Sequence, residues 1–221
     1  MRHLVRSTLV VALAIAGLLV LSLPPLTQAK KFPEPSPYPV SWELSFKHSK
    51  AKRIVVDVPG HSTPSAYWYM TYTVTNNTNV DRYFAPMFEL VTENGKIYPD
   101  DNKIPLAVVA AIRKIENNPH LETTDGFLRE GKLLQGEDQA KDGVAIWEEP
   151  SASMREFTIF VGGLSGEFVI MKDDDGKIMK DPDGSPIILH KTLELTYHIH
   201  GPAATADQDQ IEARPEKWVM R

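Results

Sequence analysis

Tyr67-Trp68-Tyr69-Met70-Thr71-Tyr72-Thr73-Val74-Thr75 reads as a β-strand from end to end. Every side chain is aromatic, β-branched or methionine, the types that suit a pleated surface in the middle of a sheet. Alternation puts Trp68, Met70, Tyr72 and Val74 on one face and Tyr67, Tyr69, Thr71, Thr73 and Thr75 on the other. Asn76-Asn77-Thr78-Asn79 then turns the chain, because asparagine tolerates left-handed backbone and bonds to its own main chain.

Working outward, the same period of two recurs. Val40, Trp42, Leu44 and Phe46 alternate with polar residues, and Ile54–Val58 is a short apolar run closed by Pro59-Gly60. Phe84–Thr92 leads through Glu93-Asn94-Gly95-Lys96, a hairpin turn, into Ile97-Tyr98. Strands are also expected at Gly143–Trp147, Phe157–Val161, Glu167–Met171 and Ile187–Ile199. The last has Leu189, Leu193, Leu195, Tyr197 and Ile199 on one face, with His190, Thr192, Glu194, Thr196, His198 and His200 on the other.

One segment breaks the pattern. Leu106, Val109, Ile112 and Ile115 recur every third residue behind Pro105, with Asp101 or Asn102 as a cap, which predicts one inserted helix over about 104–117. Leu121–Lys141 reads as a long loop with a short strand at Lys132–Leu134. The fold class expected is all-β: an antiparallel sandwich with one inserted α-helix.

The N-terminus predicts export. Arg2, His3 and Arg6 precede an apolar run from Leu9 to Leu21, then Pro24-Pro25 and Thr27-Gln28-Ala29, the layout of a cleaved secretory signal over residues 1–29. The run is about 15 residues, short of the roughly 20 a spanning helix needs, so no stable membrane insertion is expected after cleavage near Ala29. Residues 30–39 carry four prolines and read as a spacer, 40–201 as the sandwich domain and 202–221 as a mobile tail. The expected location is secreted or periplasmic.

The sequence holds no cysteine, so disulfides and a lipid-modified cysteine are excluded from it. Its net charge of −5 argues against nucleic-acid binding, which needs clustered lysine and arginine.

Candidate chemistry is sparse. His198 and His200 share a strand face and are the candidate metal ligands, suited to zinc or copper, although such a site needs three or four donors. His190 lies about 26 Å from His198 at ~3.3 Å per residue, too far to share an ion. Asp173-Asp174-Asp175-Gly176 and Asp181-Pro182-Asp183-Gly184 have the flavour of calcium loops, but the twelve-residue spacing fails and Asp-Gly hairpin turns explain both glycines. H-E-x-x-H, G-x-G-x-x-G and P-loop patterns are absent, and Gly162–Gly166 lacks the spacing of a nucleophile elbow. Glu148 and Glu149 are adjacent on a strand and point to opposite faces, poor geometry for shared acid–base work. No catalytic residue and no cofactor is expected. Tyr67 and Tyr69, on the face opposite the core, are candidates for stacking on a carbohydrate, a reading that fails if a second layer covers that face. Asn76-Asn77-Thr78 matches a glycosylation sequon.

Tyr72-Thr-Val-Thr-Asn-Asn-Thr78, Phe84-Ala-Pro-Met-Phe-Glu-Leu-Val91 and Asn94-Gly-Lys-Ile-Tyr-Pro99, followed by Gly143-Val-Ala-Ile-Trp147 and Phe157-Thr-Ile-Phe-Val161, resemble secreted bacterial immunoglobulin-like domains of the DUF4352 type. The resemblance spans Val40 to Val161; the inserted helix and the long last strand depart from it. It implies an immunoglobulin-like fold in exported proteins without known catalysis and carries no site residues. The function expected is a non-catalytic interaction or structural module with protein partners in the cell envelope. A copper- or zinc-binding accessory protein and a carbohydrate-binding module are the alternatives.

Overall fold

The computed structural model describes residues 32–100 and 103–221, so the signal segment 1–29 and the expected helix caps Asp101 and Asn102 lie outside the described residues. Pro33–Arg221 forms one compact unit. In chain order the strands are β1 (Ser45–His48), β2 (Lys52–Val56), β3 (Ser65–Thr75), β4 (Arg82–Tyr83), β5 (Met87–Thr92) and β6 (Ile97–Pro99). Helix α1 (Leu106–Ile115), β7 (Glu122–Thr123), helix α2 (Thr124–Glu130) and β8 (Lys132–Leu133) follow. The chain continues with β9 (Lys141–Glu148), β10 (Glu156–Gly162), β11 (Phe168–Ile170), β12 (Ile188–Ile199), β13 (Ile211–Ala213) and β14 (Lys217–Met220). The fold is mostly β.

Two large sheets carry it. In the first, β3 lies between β9 on one side and β1 and β2, end to end, on the other, and β7 adds to β9 in parallel. In the second, β5 and β12 flank β10; β6 extends β5, β11 continues the β10 side of β12, and β13 and β14 cover its other side. The inward faces share one core. Trp68 meets Phe157 with ring centroids 4.9 Å apart, Tyr72 meets Phe88 at 4.9 Å, and Phe157 stacks on Tyr197 at 5.1 Å. Gly143 sits opposite Tyr72 because the ring crosses its backbone: a Cβ there would lie 2.3 Å from the ring.

The Tyr72 hydroxyl is buried without a hydrogen-bond partner among the described residues. Tyr72→Phe is therefore expected to leave stability unchanged or raise it by up to about 1 kcal/mol, since a partnerless buried polar group costs free energy. Chemical denaturation checks this, and a loss above about 1 kcal/mol would sink it.

Four expectations change. First, α1 does not bury the stripe read from sequence. Val108, Val109 and Ile112 are buried, whereas Leu106 and Ile115 are 85% and 62% exposed. Nine residues at about 100° each carry Ile115 to the far side of the helix from Leu106, so a strict three-residue repeat cannot keep one face. Second, there are two α-helices among the described residues rather than one. In α2, Phe127 packs into the core against Phe84 and Tyr72 at 5.3 and 5.9 Å, and Gly131 ends the helix at φ +74°. Third, β1 is shorter than the run Val40–Lys47. Its first half leaves to pair with residues 164–166, through Leu44 N–H to the Leu164 carbonyl (2.8 Å) and Gly166 N–H to the Trp42 carbonyl (3.0 Å). Fourth, the last twenty residues are not a tail. β13 and β14 pair with β12, burying Ile211 and Met220.

Candidate functional site

The expected site residues are well placed to be judged. Tyr67 and Tyr69 are each 3% exposed, under α1 and beside Val108, Val109 and Ile112. The carbohydrate-platform reading of these two residues is thus corrected by a second layer on that face. The Tyr69 hydroxyl donates to Glu116 Oε1 at 2.7 Å, and Lys52 Nζ donates to the same carboxylate at 2.8 Å.

His198 and His200 do share a face, with ring centroids 5.0 Å apart and edge-on. His200 Nε2 is 2.9 Å from Glu212 Oε2, and His198 Nδ1 is 3.8 Å from Glu156 Oε2. Among the described residues no three His, Cys, Asp or Glu side chains converge where they could hold a metal ion.

The Asp-Gly loops are turns. Asp173 Oδ1 accepts the N–H groups of Asp175 (3.1 Å) and Lys177 (2.9 Å). Asp181 Oδ1 accepts those of Asp183 (3.0 Å) and Ser185 (2.9 Å). Each carboxylate serves its own backbone. The sequon residue Asn76 is fully buried, and its amide donates to the carbonyls of Val80 and Leu133, both at 2.9 Å. A folded chain offers no amide there for a glycan.

Burial also shifts the phenols. Tyr69 is raised above the ordinary 10.0 by burial, then by its bond to Glu116; Tyr72 is raised by burial, then by Asp100 and Glu122; Tyr197 is pushed up to about 12, mainly by burial. An unfolded phenol ionises near 10, so below that pH these groups contribute their full stability. Above it the unfolded state loses protons that the fold retains, and stability falls as pH rises toward the folded values. The expected denaturation midpoint is flat from about pH 7 to 9 and drops above about 10. A midpoint unchanged at about pH 11 would contradict this.

Two clusters escaped the sequence reading. In the first, Lys191 faces inward on β12 and is 5% exposed. Its ammonium lies 2.7 Å from Glu43 Oε2, 3.5 Å from Glu167 Oε2 and 4.8 Å from the Trp218 ring centroid. Glu167 Oε1 accepts the Ser36 N–H at 2.6 Å, so the proline-rich lead-in is tied to the same cluster rather than acting wholly as a spacer.

The second lies on the outer face of the second sheet. Gly162 and Gly163 end β10 without side chains, and Gly163 takes φ +83° with a Cβ position 2.4 Å from the Ala85 carbonyl oxygen, where only glycine fits. A depression of about 480 Å³ adjoins them, lined also by Met87, Phe160, His190 and Arg221. Arg221 lies 4.0 Å over the Phe160 ring and ion-pairs with Glu89. Beyond the depression, Phe168, Ile170 and Ile188 stand on the same face, 56%, 36% and 43% exposed. Met87 at the near end is 61% exposed. Their alternation was legible; their outward exposure was not, because it depends on which face of β11 and β12 the first sheet covers.

In comparisons with protein families, curated proteins and solved structures, nothing matches the chain. No helix among the described residues is long and apolar enough to cross a membrane.

Proposed function

We propose that the chain is an exported, non-catalytic interaction module, an immunoglobulin-like β-sandwich of the DUF4352 type that binds protein partners in the cell envelope or outside it. The observation that carries this reading is the concentration of exposed apolar side chains, Met87, Phe168, Ile170 and Ile188, on one face of the second sheet. Isolated exposed apolar residues are ordinary, whereas a contiguous set rimmed by charge marks a surface that is covered in use. The secretory layout of residues 1–29 supports export.

Two measurements test the reading. N-terminal sequencing of protein recovered outside the cytoplasm is expected to begin at Lys30; an intact Met1 in a cytoplasmic fraction would refute export. Cross-linking of the tagged protein in its native envelope is expected to recover one stoichiometric protein partner. Recovery of none would refute the interaction module.

A further inference from the structure

We infer that the free edge of β11 is a strand-addition site for an extended segment of a partner protein, with alternate apolar side chains followed by an acidic one. The inference deepens the interaction-module reading and rests on it.

The backbone directions decide which groups are free. Lys191 N–H donates to the Glu167 carbonyl and Met171 N–H to that of Ile187, so the odd residues of this stretch turn their backbone toward β12. Phe168, Ile170 and Lys172 therefore turn theirs away, and β11 pairs with no other strand among the described residues. At one end this edge is closed, since Gly166 already donates to Trp42. At the other it runs out past Lys172, which faces Ile178 across the hairpin.

An open edge of three alternate residues offers up to six backbone hydrogen bonds to an incoming strand, while the side chains opposite set its specificity. Phe168 and Ile170 stand on the outer face with Ile188 and Ile178 beside them, all exposed, so the incoming residues opposite them are apolar. The third position is set by charge. Lys172 and Lys180 are exposed and form no ion pair among the described residues. The neighbouring Asp173 and Asp181 are each turned onto two backbone N–H groups. The residue opposite Lys172 is thus acidic. A second copy of this chain fits poorly: in a symmetric antiparallel pair centred on Val169, each Lys172 would lie beside the other copy's Gly166, where Trp42 already occupies the edge, and in one centred on Ile170 each Lys172 would face the other copy's Phe168 with no acidic partner.

The probe is the peptide Glu-Thr-Val-Thr-Val-Thr-Glu, which presents the same pattern in either direction; its control has lysine at both ends. The full-length protein is expected to bind the glutamate peptide saturably and about fivefold more tightly than the control. Ile170→Pro removes only an N–H that points away from β12, so it is expected to keep the wild-type melting temperature and lose the peptide. Lys172→Glu is expected to reverse the preference. Equal binding by Ile170→Pro, no binding by the wild type, or a preference unmoved in Lys172→Glu would each overturn the site. Cross-linking separates this from the broader reading. If Ile170→Pro still captures the stoichiometric envelope partner, the edge is wrong and the interaction module stands; if neither protein captures one, the module itself fails.

Discussion

Deletion of Ile211–Arg221 is expected to destabilise the protein by about 5 kcal/mol or more, enough to unfold an ordinary domain. The segment holds β13 and β14, which pair with β12 over Lys191–Glu194 and Tyr197–Ile199. Ile211 and Met220 are 1% and 4% exposed, and Trp218 packs on the core from the same side. Each such side chain contributes about 1.5–3 kcal/mol when withdrawn from water. The deletion also strips the backbone partners of β12, the longest strand of the second sheet, at Thr196, where Arg214 N–H donates at 2.9 Å. Circular dichroism melting of the truncated protein checks this. A truncated protein with near-native melting would restore the tail reading.

The second large effect is expected at Lys191. Lys191→Ala is expected to cost about 3–5 kcal/mol, because it leaves the Glu167 carboxylate buried with its cation removed. The side chains of Lys191 and Glu167 are 6% and 9% exposed, so little water reaches either. Lys191→Met combined with Glu167→Gln is expected to cost much less than Lys191→Met and Glu167→Gln made singly and added together. Removing both charges of a buried pair spares the desolvation that one stranded charge suffers. Strictly additive losses in the double-mutant cycle, measured by denaturant titration, would show that the two side chains act independently.

Much of the fold was legible because burial in a sheet obeys a period of two. Trp68, Met70, Tyr72 and Val74 do form the core face of β3, and Leu193, Leu195, Tyr197 and Ile199 that of β12. The three Gly-containing hairpin turns were readable from local chemistry alone: Gly95, Gly176 and Gly184 all take φ near +80°, at 78°, 78° and 86°. What sequence could not disclose was the number of layers. A tyrosine on the far side of a strand is a binding platform or a second core depending on whether a helix lies over it. Here α1 covers Tyr67 and Tyr69. Lys191 was overlooked for a related reason. A lysine among apolar inward positions reads as a break in the pattern until Glu43, Glu167 and Trp218, distant in sequence, are seen to enclose it.

The candidate surface was half legible. The sequence marked a strand over Glu167–Met171, but neither the exposed side of Phe168 and Ile170 nor the open edge follows from periodicity. The His198–His200 pair shows the converse: spacing put the rings together as expected, yet one faces Glu212 and the other Glu156, and among the described residues no third donor converges on both.

The central claim, that the outer face around β11 meets a protein partner, is tested most directly by photo-cross-linking in the native envelope. A benzophenone amino acid would be placed at Phe168 or, as control, at the equally exposed Val55 on β2 of the other sheet. The account predicts one discrete protein adduct from position 168 and none from position 55. No adduct from position 168, or the same adduct from both positions, would contradict it.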